Sequence, residues 1–214
     1  MFNKKLLPAA LATALVSGMA AAPATADLSA NIGFASEYYF RGLLQNDSSA
    51  SAGLDFESNG FYVGTWAADV GDGLEVDLYG GYGIEVEGFS FSVGGTGYYY
   101  TGDFDDTYQE LNLGAGYDFI SVDYAIGEWD GFGDEQNYDI LTVGLAYEGF
   151  FGTWGSWGVA EDELAEGDYF ELGYGTEIGG FDVSVYGVYT DEDLTGGDEW
   201  DEALLFTVGK SFDL

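Results

Sequence analysis

The run ANIGFASEYYFRGLLQNDSSASAGLDFESNGFYVGTWAADVGDGLEVDLYGGYG, Ala30 to Gly83, decides the fold. From Leu28 to Phe40, Leu28, Ala30, Ile32, Phe34, Tyr38 and Phe40 alternate with Ser29, Asn31, Gly33, Glu37, Tyr39 and Arg41. A two-residue period of this length is a β-strand with one apolar and one polar face. The pattern returns in Ala50, Ala52, Leu54 and Phe56, and a Ser58-Asn59-Gly60 turn follows. Asn-Gly is the strongest short hairpin signal. A tight turn at Gly71–Gly73 then leads into Leu74, Val76, Leu78 and Tyr82, which alternate with Glu75, Asp77 and Tyr79. Four amphipathic strands in series, joined as hairpins, set the template.

The same rhythm continues to the end of the chain, through Phe89–Val93, Leu111–Tyr117, Ile120–Ile126, Leu141–Tyr147, Phe150–Gly158, Phe170–Tyr174, Phe181–Val185 and Leu204–Phe212. It predicts twelve strands. Connections alternate between short (Glu85–Gly88, Asp118–Phe119, Glu148–Gly149, Gly179–Gly180) and long (Leu43–Ser48, Thr101–Thr107, Trp129–Gln136, Thr190–Trp200). Short turns at one end and long loops at the other belong to bacterial outer-membrane barrels, where an even strand count puts both termini on the turn side. The fold class is therefore all-β, an antiparallel up-and-down transmembrane β-barrel of about twelve strands. A soluble β-sandwich also alternates, but it keeps shorter strands and lacks this loop asymmetry. Aromatics near strand ends suit two interfacial girdles: Tyr38, Tyr39, Tyr98 and Trp129 at the loop end, Phe61, Tyr117, Tyr147 and Phe181 at the turn end.

Residues 1–26 read as a signal peptide, with Lys4 and Lys5 before an apolar run and Ala24-Thr25-Ala26 as the cleavage site; residues 27–214 are the barrel. The expected location is the bacterial outer membrane, with outer-membrane lipid as the surrounding partner. The chain has 39 acids, 4 bases, no histidine and no cysteine, and a formal net charge of −35. After residue 26 the bases are Arg41 and Lys210. Without a basic footprint, nucleic acid is excluded as a partner. Without histidine or cysteine, the commonest general base and the usual zinc ligands are missing, and no nucleophile elbow is present, so an enzyme is not expected. The oligomeric state leaves no mark on the sequence.

Eight acids share the polar parity of their strands and are expected to line a pore: Glu37, Asp55, Glu75, Asp77, Glu110, Asp123, Glu171 and Asp182. Arg41 shares that parity and is expected to form an ion pair inside the barrel, with Glu75 or Asp77 as partner. Asp139 has the outward parity of Leu141 and is expected above the hydrocarbon band. Lys210, on the parity of Phe206 and Phe212, is expected to snorkel to the interface. The spacing Asp191, Asp193, Thr195, Gly196, Glu202 resembles a calcium loop, which would make calcium the one bound ion; no other cofactor is expected. A carboxylate-lined lumen favours cations. The functional expectation is a narrow, cation-favouring porin for ions or small solutes. The alternative is a closed structural or adhesive barrel whose acidic loops bind divalent cations.

The first third also resembles a known family. Ser36, Glu37, Tyr38, Phe40, Arg41 and Gly42, then Gln45, then Gly60–Tyr62 with Gly64 and Trp66, then Glu75–Tyr82, are similar to the TorF-like family of proteobacterial porins. That resemblance implies an outer-membrane barrel with a pore. The end of the chain departs from the usual terminal aromatic, since Asp213 and Leu214 follow Phe212.

Overall fold

The computed structural model describes residues 26–158, 164–197 and 199–214; the expected signal peptide lies outside them except for Ala26. Among these residues, twelve strands close into one antiparallel barrel. They are β1 (Asp27–Ala35), β4 (Ser49–Ser58), β5 (Phe61–Asp69), β6 (Leu74–Val86), β7 (Phe89–Tyr100), β8 (Tyr108–Tyr117), β9 (Ile120–Trp129), β10 (Gln136–Tyr147), β11 (Phe150–Trp157), β12 (Gly167–Ile178), β13 (Phe181–Thr190) and β14 (Asp201–Asp213). Each pairs with its sequence neighbour, and β1 closes the ring by pairing with both β4 and β14. Two further strands, β2 (Tyr38–Phe40) and β3 (Leu43–Asn46), form a separate hairpin. A single turn of helix, α1 (Glu192–Thr195), sits in the β13–β14 connection.

The expected first strand is therefore too long. It leaves the barrel wall at Ala35, and Tyr38–Asn46 folds as the β2–β3 hairpin. The turn residues explain the break. Arg41 and Gly42 have φ of 50° and 86°, as Asn59-Gly60, Glu87-Gly88 and Glu148-Gly149 have in the two-residue turns at the other end of the barrel. Two successive positive-φ residues form the tight turn whose twist matches paired strands. Arg-Gly thus makes a hairpin, where continued alternation had suggested a straight strand.

Side-chain direction follows the alternation. Leu54, Phe56, Val63, Leu78, Ile84, Phe91, Val93, Leu111, Leu113, Val122, Leu145, Leu172, Val185, Leu204 and Phe206 point outward and are exposed around the ring. In water, a continuous belt of this kind would have to be covered; in a membrane it is the lipid-facing surface. Phe61, Tyr117, Tyr147, Phe150 and Phe181 rim its turn end. Lys210 reaches this rim, its Nζ 4.9 Å from the centre of the Phe181 ring and 5.5 Å from that of Phe212. No helix among the described residues is long and apolar enough to cross a membrane.

The interior has two halves. Toward the turns, small side chains line the arc from β7 to β10 (Ser90, Ser92, Gly114, Gly116, Ser121 and Gly144, all partly exposed), and the rings of Tyr62, Tyr79 and Phe151 project in beside it. Toward the loops it is filled. Three clusters of buried apolar side chains lie there: Tyr138, Ile140, Trp157, Tyr169 and Leu194; Tyr39, Tyr186, Val188 and Leu205; Tyr38, Ala68 and Val70. The hairpin contributes to each of them, through Leu43, Tyr39, and Tyr38 with Phe40. The core of this protein is the hairpin inside the bore.

Candidate functional site: the hairpin in the bore

Arg41 stands at the hairpin tip and reaches Glu110 of β8. Its Nη1 donates to Glu110 Oε1 at 2.5 Å and its Nη2 to Oε2 at 3.1 Å. This two-pronged geometry is the strong form of an arginine–carboxylate pair. Glu110 accepts three more bonds, from Tyr138 OH at 2.8 Å, Asn112 Nδ2 at 2.7 Å and Tyr98 OH at 3.1 Å. Glu110 is 7% exposed and Arg41 9%. A buried ion pair is tolerated when its remaining hydrogen-bonding capacity is met, and here five donors converge on one carboxylate. The expected ion pair exists, but its acid is Glu110 and not Glu75 or Asp77. The partner could not be read from parity, because the hairpin leaves the wall and carries Arg41 past β6.

Four further contacts seat the hairpin. Tyr38 OH donates to Glu75 Oε1 at 2.6 Å, and Tyr100 OH donates to Oε2 of the same carboxylate at 2.9 Å. Trp157 Nε1 donates to the Arg41 carbonyl at 3.0 Å, and Thr190 Oγ1 to the Gly42 carbonyl at 2.6 Å. Tyr39 OH points to Asp201 Oδ2 at 3.4 Å. Burial, together with Asp201 and Glu37 nearby, pushes the Tyr39 phenol up to about 12, so it stays a donor at neutral pH. The hairpin is thus tied to β6, β8, β11, β13 and β14, on several sides of the barrel. The carbonyls of both turn residues, Arg41 and Gly42, thus have a donor, which a buried backbone segment requires.

Gly42 is where sequence and packing meet most tightly. A Cβ there would sit 2.5 Å from Tyr169 Cβ, and the φ of 86° disfavours any side chain. Gly42→Ala should therefore unseat the hairpin at a cost of about 1–3 kcal/mol. The gel-shift melting temperature of the detergent-solubilised barrel would show it, and an unchanged melting temperature would contradict this seating.

Seven of the eight expected lumen carboxylates lie on barrel strands and face inward. Glu75, Asp77, Glu110 and Glu171 are buried in the filled half, whereas Asp55, Asp123 and Asp182 are partly exposed toward the turn half. Asp55 accepts from Tyr79 OH and, at 3.3 Å, from Asn31 Nδ2. Glu37 departs from the expectation, because it lies in the bend between β1 and β2 and not on a barrel strand. Tyr38, Tyr39 and Tyr98, placed in the loop-end girdle by their position, are buried in the interior. Asp139 is buried at the loop end of β10, where its carbonyl accepts from Gly158 N.

Of the calcium-like spacing, Asp191 and Thr195 are engaged within the β13–β14 connection. Asp191 caps α1, accepting from Leu194 N at 2.9 Å and from Asp168 N at 2.7 Å, so both its oxygens are engaged by backbone. Thr195 Oγ1 donates to the Asp191 carbonyl at 3.2 Å, and Glu202 stands on β14 opposite Tyr189. Asp193 is in the first turn of α1. Among the described residues, the carboxylates that approach one another in threes, within 4.8 Å, are Glu128, Asp130 and Glu135 at the β9–β10 connection, on the surface.

A family model described as "Bacterial protein of unknown function (Gcw_chp)" matches residues 19–212. A comparison with curated proteins found no match. Among solved structures, a chain from work described as unveiling the mechanism behind the in-meso crystallization of membrane proteins superposes with a TM-score of 0.61. It is 9% identical, with 88% of this chain and 84% of that one covered. The COG4313 outer membrane channel from Pseudomonas putida F1 gives 0.49 at 12% identity, covering 90% and 97%. OccK1 (OpdK) from Pseudomonas aeruginosa gives 0.41 at 12% identity, covering 79% of this chain and 58% of that one. At 9% identity the first of these likenesses is one of fold alone.

Proposed function

Because the chain belongs to the Gcw_chp family, bacterial proteins of unknown function, its role has to come from its own geometry, and we propose an outer-membrane channel for ions or small solutes whose resting state is closed by the β2–β3 hairpin. The observation that carries this reading is the contrast between the two halves of the bore. The turn half is partly exposed, with small residues along β7 to β10 and Asp55, Asp123 and Asp182 facing in beside the rings of Tyr62, Tyr79 and Phe151. The loop half would continue it, but for a hairpin held there by polar contacts. Eight-stranded barrels fill their interiors with wall side chains, and sixteen-stranded ones leave a wide channel. Twelve strands give a bore that one hairpin can occupy. With termini and short turns on the periplasmic side, the hairpin closes the extracellular end.

Selectivity follows from the charges. Asp55, Asp123 and Asp182 face the accessible half, Arg41 is neutralised by Glu110, and Lys210 points outward. The path is therefore negative, and its low-dielectric wall strengthens that field. Reconstituted in planar bilayers under a potassium chloride gradient, open barrels should give reversal potentials favouring potassium. The preference should shrink as salt rises and weaken in an Asp55→Asn, Asp123→Asn variant. Anion selectivity would overturn the charge argument. A barrel that never conducts, even with residues 38–46 replaced by a short glycine-serine turn, would favour the closed structural reading instead.

A further inference from the structure

Asp77 is the odd group in this interior. It is 0% exposed, and neither carboxylate oxygen has a hydrogen-bond partner. It stands between Trp66 and Tyr98 in the strand ladder, two residues from Glu75 on the same face of β6. Tyr98 packs against Phe40 of the hairpin at 5.5 Å between ring centres, and Tyr38 against Trp66 at 5.8 Å. Its surroundings are thus aromatic and shut off by the hairpin. A carboxylate so placed, with no donor, is the costliest arrangement a protein interior can hold.

The nearby charges do not cancel. Arg41 is bound in both prongs by Glu110. Glu75, 1% exposed, receives only the neutral phenols of Tyr38 and Tyr100. The other base among the described residues, Lys210, stacks on rings at the outer rim. Glu75 and Asp77 therefore stand side by side on one face of β6, and the nearest cation among the described residues, Arg41, is already paired with Glu110.

We propose that Asp77, together with Glu75, holds one hard divalent cation, calcium or magnesium, against the hairpin. A divalent ion balances the surplus charge and gives the idle Asp77 oxygens a ligand. Carboxylate oxygens suit calcium or magnesium, and the chain has no histidine or cysteine to favour a softer metal. The ion also bears on the hairpin, because Glu75 is the acceptor for Tyr38. An occupied site would hold Glu75 charged and the Tyr38 bond in place. This deepens the channel reading, and it rests on that reading only for the ion's way in from the turn half past Asp55 and Asp123.

The test is calorimetric titration of calcium chloride into the detergent-solubilised barrel at high potassium chloride, which screens the surface acids. The wild type should bind one calcium per barrel saturably. Asp77→Asn and Glu75→Gln should each weaken binding at least about tenfold, since affinity tracks ligand charge. A Glu128→Gln, Glu135→Gln variant, altered at the surface cluster, should bind like the wild type. Binding of equal strength in Asp77→Asn would overturn the site. Should either variant not fold, the other decides. The wild type alone gives a further check: calcium must raise its melting temperature over that in chelator, and no shift overturns the proposal, as it would if Asp77 were simply protonated. None of these readouts needs conduction. A barrel that binds but never conducts fails the channel reading alone, and one that conducts without binding fails this inference alone.

Discussion

Replacing Arg41 with glutamine is expected to turn a closed barrel into a conducting one. The substitution removes a guanidinium held by two bonds and leaves Glu110 buried without its cation. Breaking one side of a buried pair costs about 3–5 kcal/mol. That loss falls on the seated hairpin and not on the barrel ladder, which has its own backbone bonds. At about 1.4 kcal/mol per factor of ten, the balance between seated and released hairpin shifts by roughly a hundredfold or more. Single-channel recordings should show a matching rise in open probability. Arg41→Gln with Glu110→Gln should recover much of the closure, since the stranded charge is gone and Tyr98, Tyr138 and Asn112 can bond to the amide. Unaltered gating in the single variant would mean that Arg41 is not the latch.

The second large effect tests the outer surface. Leu113 lies midway along β8, exposed and outward, in the belt that includes Val93 and Leu111. Leu113→Arg should cost about 2–4 kcal/mol of folding stability in lipid bilayers, as arginine does at the bilayer midplane. Ser92→Arg, on the neighbouring strand but facing in, should cost clearly less, because Asp123 stands within reach across Gly114. Denaturant unfolding in vesicles of defined lipid would compare the two. Equal costs would mean that the belt does not face hydrocarbon.

The wall of this barrel was legible in the sequence because a two-residue period is itself the physical rule for facing lipid or lumen. The antiparallel ring of twelve follows from the strand rhythm and the alternation of short turns with long loops, and the inward turn of Glu75, Asp77, Glu110 and Glu171 and the outward turn of Lys210 follow from parity. Parity fails where a strand leaves the wall. Tyr38, Tyr39 and Phe40 still alternate when folded into the bore, so the period cannot distinguish a plug from a staple of the wall. The signal that could have separated them is the Arg41-Gly42 pair, which matches the x-Gly turns at residues 60, 88 and 149. Partners across the bore lie beyond any local pattern, since Arg41 and Glu110 are 69 residues apart. At Asp191 the same letters serve a helix cap and an ion loop, and spacing does not separate the two.

The place of the hairpin in the chain sets an order of assembly. It follows the first strand, yet the groups that receive it come from β6, β8, β11, β13 and β14, and the ring shuts only when β14 meets β1. The full set of partners therefore exists only once the ring is complete. An early segment of the chain thus waits on its last strand for its final place.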